Sequence, residues 1–334
     1  ALLPLTARYL PSVNLPELFA SNEQVMAIVN YGSELDFDIP GNLVSVNVPL
    51  QQLSAQSIAE VWLSDSEVKS ATSNGIHYSF NSSLLFGHVV ADIPGIQNLE
   101  QEVEEKYQRI SKFTKEKNYP HIIRVWNYVP DINDEPGGME NYKSFSLGRS
   151  NAFEDQKIDM VRELPAASAL GIKNGKLIIY FIASKIPGSQ VENPRQINAY
   201  HYPPKYGPKS PSFARANIMT SKDGYINYIS GTASIVGHET LHTGDVEGQL
   251  RETITNINTV LEMATRKEYK KNNLLSENDL LKVYIRDGKD FSLVQNFLEK
   301  ETSVKKENIM YLETDICRND LLLEIEAVSL ALKD

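Results

Sequence analysis

"DLLLEIEAVSLAL", residues 320–332, decides how this chain is read. Its apolar residues recur with period two, which predicts a strand, and successive side chains of a strand point to opposite faces. Glu324 and Glu326 then share one face, and Leu323, Ile325 and Ala327 share the other. A glutamate in so apolar a setting is expected to hold its proton to unusually high pH, as a general acid must. The alternative is an edge strand whose acids are solvated. A second stretch of the same kind, "LIIYFIASK" (177–185), can be laid under "LLLEIEAVS", which puts Glu324 opposite Tyr180 and Glu326 opposite Ile182. The carboxylates exist only in the later copy.

The surroundings of both strands repeat as well. In the later half "GYINYISGTASIVG" (224–237) predicts a strand. "GDVEGQLRETITNINTVLEMA" (244–264) predicts a helix with Val246, Leu250, Ile254, Ile257 and Leu261 on one face. "DLLKVYIRDGKDF" (279–291), "SLVQNFLEKE" (292–301) and "IMYLETDI" (309–316) follow as strand, helix and strand. The earlier half gives a strand in "NSSLLFGHVVADIPG" (81–95) and a helix in "NLEQEVEEKYQRISKFTKEKN" (98–118). A strand in "HIIRVWNYVPDI" (121–132) and a helix-like stretch in "ENYKSFSLGRSNAFE" (140–154) come next. The expected architecture is α+β, two tandem units, each a small mixed sheet with helices packed on one face. The boundaries expected are 1–187 for the first unit with its N-terminal extension and 224–334 for the second. Residues 188–223, rich in Pro, Gly and polar residues, read as a connector loop.

Composition narrows the function. Across 334 residues the chain is 41% hydrophobic and 23% charged, with a mean hydropathy of −0.32, values typical of a soluble globular protein. A net charge of −10 argues against nucleic acid as partner, and no apolar run reaches the roughly 18–20 residues of a membrane span. One cysteine, Cys317, and an N-terminal stretch without signal-peptide layout lead to the expectation of a cytoplasmic protein. An anionic substrate would need arginines clustered against the global field.

The hexapeptide "GHETLH" (237–242) spells the H-E-x-x-H signature of zinc hydrolases, which requires a helix to put both histidines on one face. Here a strand precedes it, and Thr243 or Asp245 caps a helix that begins only afterwards. His238 and His242 are therefore expected on a loop, no third histidine follows, and no metal site is assigned.

Residues 224–334 resemble the RidA/YjgF family of small α+β proteins, above all in "DLLLEIEAVSLAL". The tandem as a whole resembles the chorismatases. That likeness is carried by "RVWNYVPDIN" (124–133), "NYKSFSLGR" (141–149), "GTASIVGHETLHTGD" (231–245) and "DICRNDLLLEIEA" (315–327), four motifs in order over most of residues 80–334. The resemblance implies an enzyme that removes pyruvate from chorismate without a metal or organic cofactor, working as a monomer whose internal repeat stands in for an oligomer.

It also implies that Glu324 protonates the enolpyruvyl methylene. Arg149 and Arg215, and less securely Arg318, are candidates to hold the two carboxylates as guanidinium forks. Arg215 stands out because its neighbours "PSFA" and "ANIM" are no charged surface run. Tyr142 and Tyr202 are candidate hydroxyl donors, Thr232 and Ala233 candidate pocket walls. Cys317 is either a pocket residue or a small buried hydrophobe. Water attack on the resulting cation gives a dihydroxycyclohexadiene carboxylate, whereas participation of the ring hydroxyl gives 3-hydroxybenzoate. The second is favoured, because a soft thiol at Cys317 would hinder water. An imine hydrolase and a non-catalytic binding protein are the rival readings.

Overall fold

Three sheets turn their inner faces towards one another in the computed structural model, which describes residues 4–93, 99–173, 175–268 and 275–332. Parts of two predicted elements, residues 94–95 and Asn98, lie outside the described residues. The N-terminal sheet comprises β1 (Leu5–Pro11), β2 (Gln24–Tyr31), β3 (Ser45–Val48) and β5 (Ile58–Ser64), in the order β1-β5-β2-β3. Leu15 and Leu18 of α1 (Leu15–Ala20) cover its outer face against Ile28, Ala59 and Val61.

The second sheet contains β6 (Lys69–Ser73), β7 (Ile76–Phe80), β8 (Leu84–Asp92), β9 (His121–Pro130), β10 (Ala166–Ile172) and β11 (Lys176–Ser184). Outside it lie α2 (Leu99–Glu116) and α3 (Asn141–Asp155), whose apolar stripes meet Leu85, Val125 and Ile179. The third sheet contains β12 (Ser189–Val191), β13 (Ala216–Thr220), β14 (Gly224–Thr232), β17 (Leu280–Ile285), β18 (Ile309–Glu313) and β19 (Leu323–Leu332). Its edge is extended by the short β4 (Gln51–Gln52), and α4 (Val246–Glu268) and α5 (Phe291–Glu301) cover its outer face. The small hairpin β15 (Ile235–Val236) and β16 (Glu239–Thr240) stands apart.

The orders β6-β7-β8-β11-β9-β10 and β12-β13-β14-β19-β17-β18 correspond strand for strand. In both, the last two strands are parallel and the others antiparallel. The α+β tandem read from the sequence is the observed architecture. Two details differ. Residues 188–223 are no plain connector, since they supply β12 and β13, whose pairing matches that of β6 and β7. The strand overlay is also shifted by two residues. Ile178 pairs with Tyr128 and Glu324 with Tyr284, and these two tyrosines meet across the interface at 3.1 Å. Glu324 thus corresponds to Ile178 and Glu326 to Tyr180.

The inner faces share a core of large rings. Trp62 of the N-terminal sheet meets Trp126 edge to face at 5.7 Å, Trp126 stacks on Tyr180 at 4.5 Å, and Tyr228 of the third sheet closes on Trp62. Each such ring removes roughly 150–250 Å² from water, so this contact cements all three sheets.

Candidate active site

A cavity of about 310 Å³ opens between the two repeated units. Its walls come from α3 (Tyr142, Arg149), β10 (Ala167, Ser168), the end of β14 (Gly231, Ala233) and the start of β19 (Glu324). Segment 196–215 with Tyr202, Tyr206 and Arg215, and Cys317 and Arg318 from the turn before β19, complete it. Eight of the nine residues singled out from the sequence, Arg318 among them, line this space.

Thr232 is the exception. β14 carries a bulge: the three steps from Ile229 to Thr232 match only two on β19, from Ala327 to Ile325. One extra residue reverses the facing of the strand beyond it. Thr232 therefore lies beside Ile325, on the side that faces the helices, and donates its hydroxyl to the Ser230 carbonyl at 2.8 Å. Gly231 and Ala233 face the cavity instead.

Glu324 is buried, 4% exposed. Burial, and then the negative charge of Glu326, push its carboxyl up to about 8, with Arg124 opposing. At neutral pH it is a protonated acid in a cavity wall. Gly231 makes room for it, since a Cβ there would stand 1.8 Å from its Oε1. Gly231→Ala is expected to fold, because the end of a flexible side chain can swing aside, but to displace the acid. A displacement of about 1 Å can lower turnover on the order of 100-fold. Parallel measurement of kcat and melting temperature checks this, with a large loss in the first and little change in the second.

Glu326, two residues on, is also buried and lies against Arg124, Lys282, Ser168 and Trp126. Ser168 is a junction: it donates to Glu326 at 2.6 Å and accepts from Arg124 and from the Gly231 backbone N–H.

The same cavity is lined by three cations, Arg149, Arg215 and Arg318. The Nε atoms of Arg149 and Arg215 are buried and make no hydrogen bond. Arg149 lies over the Phe145 ring at 4.8 Å, and Arg215 donates to the Tyr202 hydroxyl at 2.8 Å and to the Ile197 carbonyl. Arg318 stacks on Tyr206 at 4.1 Å and donates to the His238 carbonyl. Among the described residues none of these three guanidiniums is ion-paired with a carboxylate. Arg149 and Arg215 are buried and Arg318 partly so, and buried cations without counter-ions fit a ligand that brings its own negative charge.

The phenol of Tyr142 is pushed far above its ordinary range by burial and by the neighbouring Cys317, so it remains a donor. The Cys317 sulfur lies 4.0 Å from Glu324 Oε2. Burial, with Glu324 beside it, raises the thiol to about 12, which leaves it uncharged and poorly nucleophilic. Residues 237–242 form a hairpin and turn in place of a helix, with His242 at φ 57°. His238 meets Tyr206 and Glu239, while His242 faces Glu252, so the two rings serve different partners.

Periodicity and motif do not single out Gly231, Ser168, Arg124 or Lys282 as site residues. Lys282 had left a signal, a lysine amid the apolar strand "LLKVYI".

Fold and site together define a two-unit α+β protein with a protonated acid facing a cationic cleft at the unit interface. Residues 60–183 match the family model described as chorismatase FkbO/Hyg5-like, N-terminal. A 3-hydroxybenzoate synthase of Streptomyces hygroscopicus is 34% identical over 317 residues, 91% of each chain. A chorismatase of Streptomyces rapamycinicus is 36% identical over 281 residues, 82% of each chain. A chorismatase crystal structure at 1.08 Å resolution superposes with a TM-score of 0.87 at 30% identity, over 97% of this chain and 98% of the other. The chain belongs to the chorismatase family.

Proposed function

We propose that this protein removes pyruvate from chorismate and gives 3-hydroxybenzoate. The observation that carries the reading is the pairing of a buried, protonated Glu324 with buried, uncompensated Arg149 and Arg215 across one cavity. A dianion with a protonatable enol ether matches that pairing.

The two carboxylates of the substrate sit on the guanidiniums, with Tyr142 and Tyr202 as hydroxyl donors. Glu324 gives its proton to the enolpyruvyl methylene, and the adjacent carbon becomes an oxocarbenium centre. With the ring hydroxyl taking part, the ether oxygen leaves with pyruvate and the ring aromatises. Chorismate then equals pyruvate plus 3-hydroxybenzoate atom for atom, and no cofactor is called for. Hydrolysis would add one water and yield the dihydrodiol. The uncharged Cys317 thiol beside Glu324 supports the first course, as does the likeness to a 3-hydroxybenzoate synthase.

Purified protein with chorismate should release one pyruvate per ring, with 3-hydroxybenzoate the main product by chromatography. Dihydrodiol in its place would overturn the product, and absence of pyruvate from folded protein would overturn the activity. The working form of the acid is the protonated one, so kcat/KM should fall as pH rises through about 8. A profile flat to pH 10 would remove Glu324 from the role.

The site is complete within one chain, which supports a working monomer, and turnover per molecule should not change on dilution. Among the described residues no helix is long and apolar enough to cross a membrane. We place the enzyme in the cytoplasm.

A further inference from the structure

Glu326 takes no part in the chemistry above, yet five side-chain donors converge on it. Its Oε1 accepts from Lys282 at 2.9 Å and from the Trp126 indole at 2.7 Å. Its Oε2 accepts from Arg124 at 2.8 Å, Ser168 at 2.6 Å and Tyr284 at 3.3 Å. Lys282 also pairs with Glu60 at 2.5 Å, and Glu60 accepts from Tyr31 and Trp62, all three in the N-terminal sheet. Two anions, Glu60 and Glu326, and two cations, Lys282 and Arg124, thus form a balanced buried cluster.

Glu324 projects from the same face of β19 but has none of these donors. The cavity beside it is lined by Cys317, Tyr142, Arg149, Arg215 and Arg318, and the Cys317 sulfur lies 4.0 Å from its Oε2. Ionising Glu324 would add a third negative charge to a desolvated cluster that is already neutral. Resting on the chorismatase reading, we propose that Glu326 is a positioning residue: its ionised carboxylate, fixed by Lys282 and Arg124, keeps the proton on Glu324. Burial alone would raise Glu326, but Lys282 and Arg124 outweigh it and hold this carboxylate below the usual range. The N-terminal sheet enters the reaction through Glu60, which helps to fix Lys282 in place.

Glu326→Gln removes the charge and keeps the shape. Its alkaline limb in kcat/KM should move down by roughly one to two pH units, the size expected for one unit charge at neighbouring strand positions. Glu326→Asp retains the charge and should leave the limb close to that of the wild type. An active glutamine variant with an unmoved limb would overturn the proposal.

If the glutamine variant does not fold, the wild type decides the matter by ¹³C NMR of labelled glutamate carboxyls, with Glu324→Gln assigning the resonances. A proton on Glu324 with charge on Glu326 at pH 7 is expected. A proton on Glu326, or charge on both, would overturn the proposal. The titration needs no turnover. Wild type that shows this carboxyl pattern but releases no pyruvate would overturn the chorismatase reading while upholding the electrostatic pairing.

Discussion

Glu324→Gln is expected to bind chorismate and release pyruvate about 10²–10⁴-fold more slowly than the wild type, the range that a positioned acid contributes. The amide has the shape of the protonated carboxyl but cannot deliver a proton to carbon. KM should change little, because the proposed holders of the substrate carboxylates are Arg149 and Arg215. The same variant should gain stability in alkali. The Glu324 carboxyl is raised when folded, so between about 4.5 and 8 the folded state retains a proton that the unfolded chain has lost. Its contribution to stability therefore declines as pH rises through that window and stays low above it. Glutamine removes that penalty, and its advantage at pH 9 should be roughly a few kcal/mol, vanishing towards pH 4. Equal melting curves at both pH values, or unchanged turnover, would show that Glu324 is not the buried acid.

Lys282→Met should have the largest effect on the fold. The ammonium is 2% exposed and lies between Glu60 at 2.5 Å and Glu326 at 2.9 Å, with Tyr180 as a third partner at 3.2 Å. Its removal leaves Glu60 with no cation and Glu326 with Arg124 alone. Breaking a buried pair in this way costs about 3–5 kcal/mol. Denaturant midpoints at pH 7 would measure the loss, and the sign of its pH dependence would identify the cause. Acid lets the orphaned carboxylates take up protons, so the deficit should shrink as pH falls. A deficit independent of pH would point to lost packing against Tyr31 and Trp126 instead.

How much of this was legible in the sequence depends on what alternation can convey. Period two placed Glu324 and Glu326 on one face of β19, and that face is the inner one. The same periodicity is blind to a slip of two residues, which keeps every side chain on its face. The overlay with 177–185 is therefore off by two, and in either overlay the carboxylates exist only in the later copy. Alternation also failed at Thr232, where one inserted residue reverses the facing and leaves no mark in composition. β12 is three residues long and lies among prolines and glycines, too short for any period to show. The arginines could be chosen because charge in an apolar context is conspicuous, as at Arg215. Lys282 is conspicuous in the same way, but that it meets Arg124 and Ser168 at Glu326, and itself holds Glu60, could not be read, since these residues are far apart in the chain and meet only once three sheets have assembled.

The strand-for-strand correspondence of the two units has a consequence for descent. An assembly of identical chains must repeat each residue at every equivalent interface, so an acid gained at one is gained at all. Two units joined in one polypeptide are free of that rule. Here Ile178 occupies the place that Glu324 holds in its counterpart, and Tyr180 the place of Glu326. One copy can specialise in chemistry while the other drifts towards scaffolding. Covalent joining of the two units is what permits an asymmetric active site to be encoded at all.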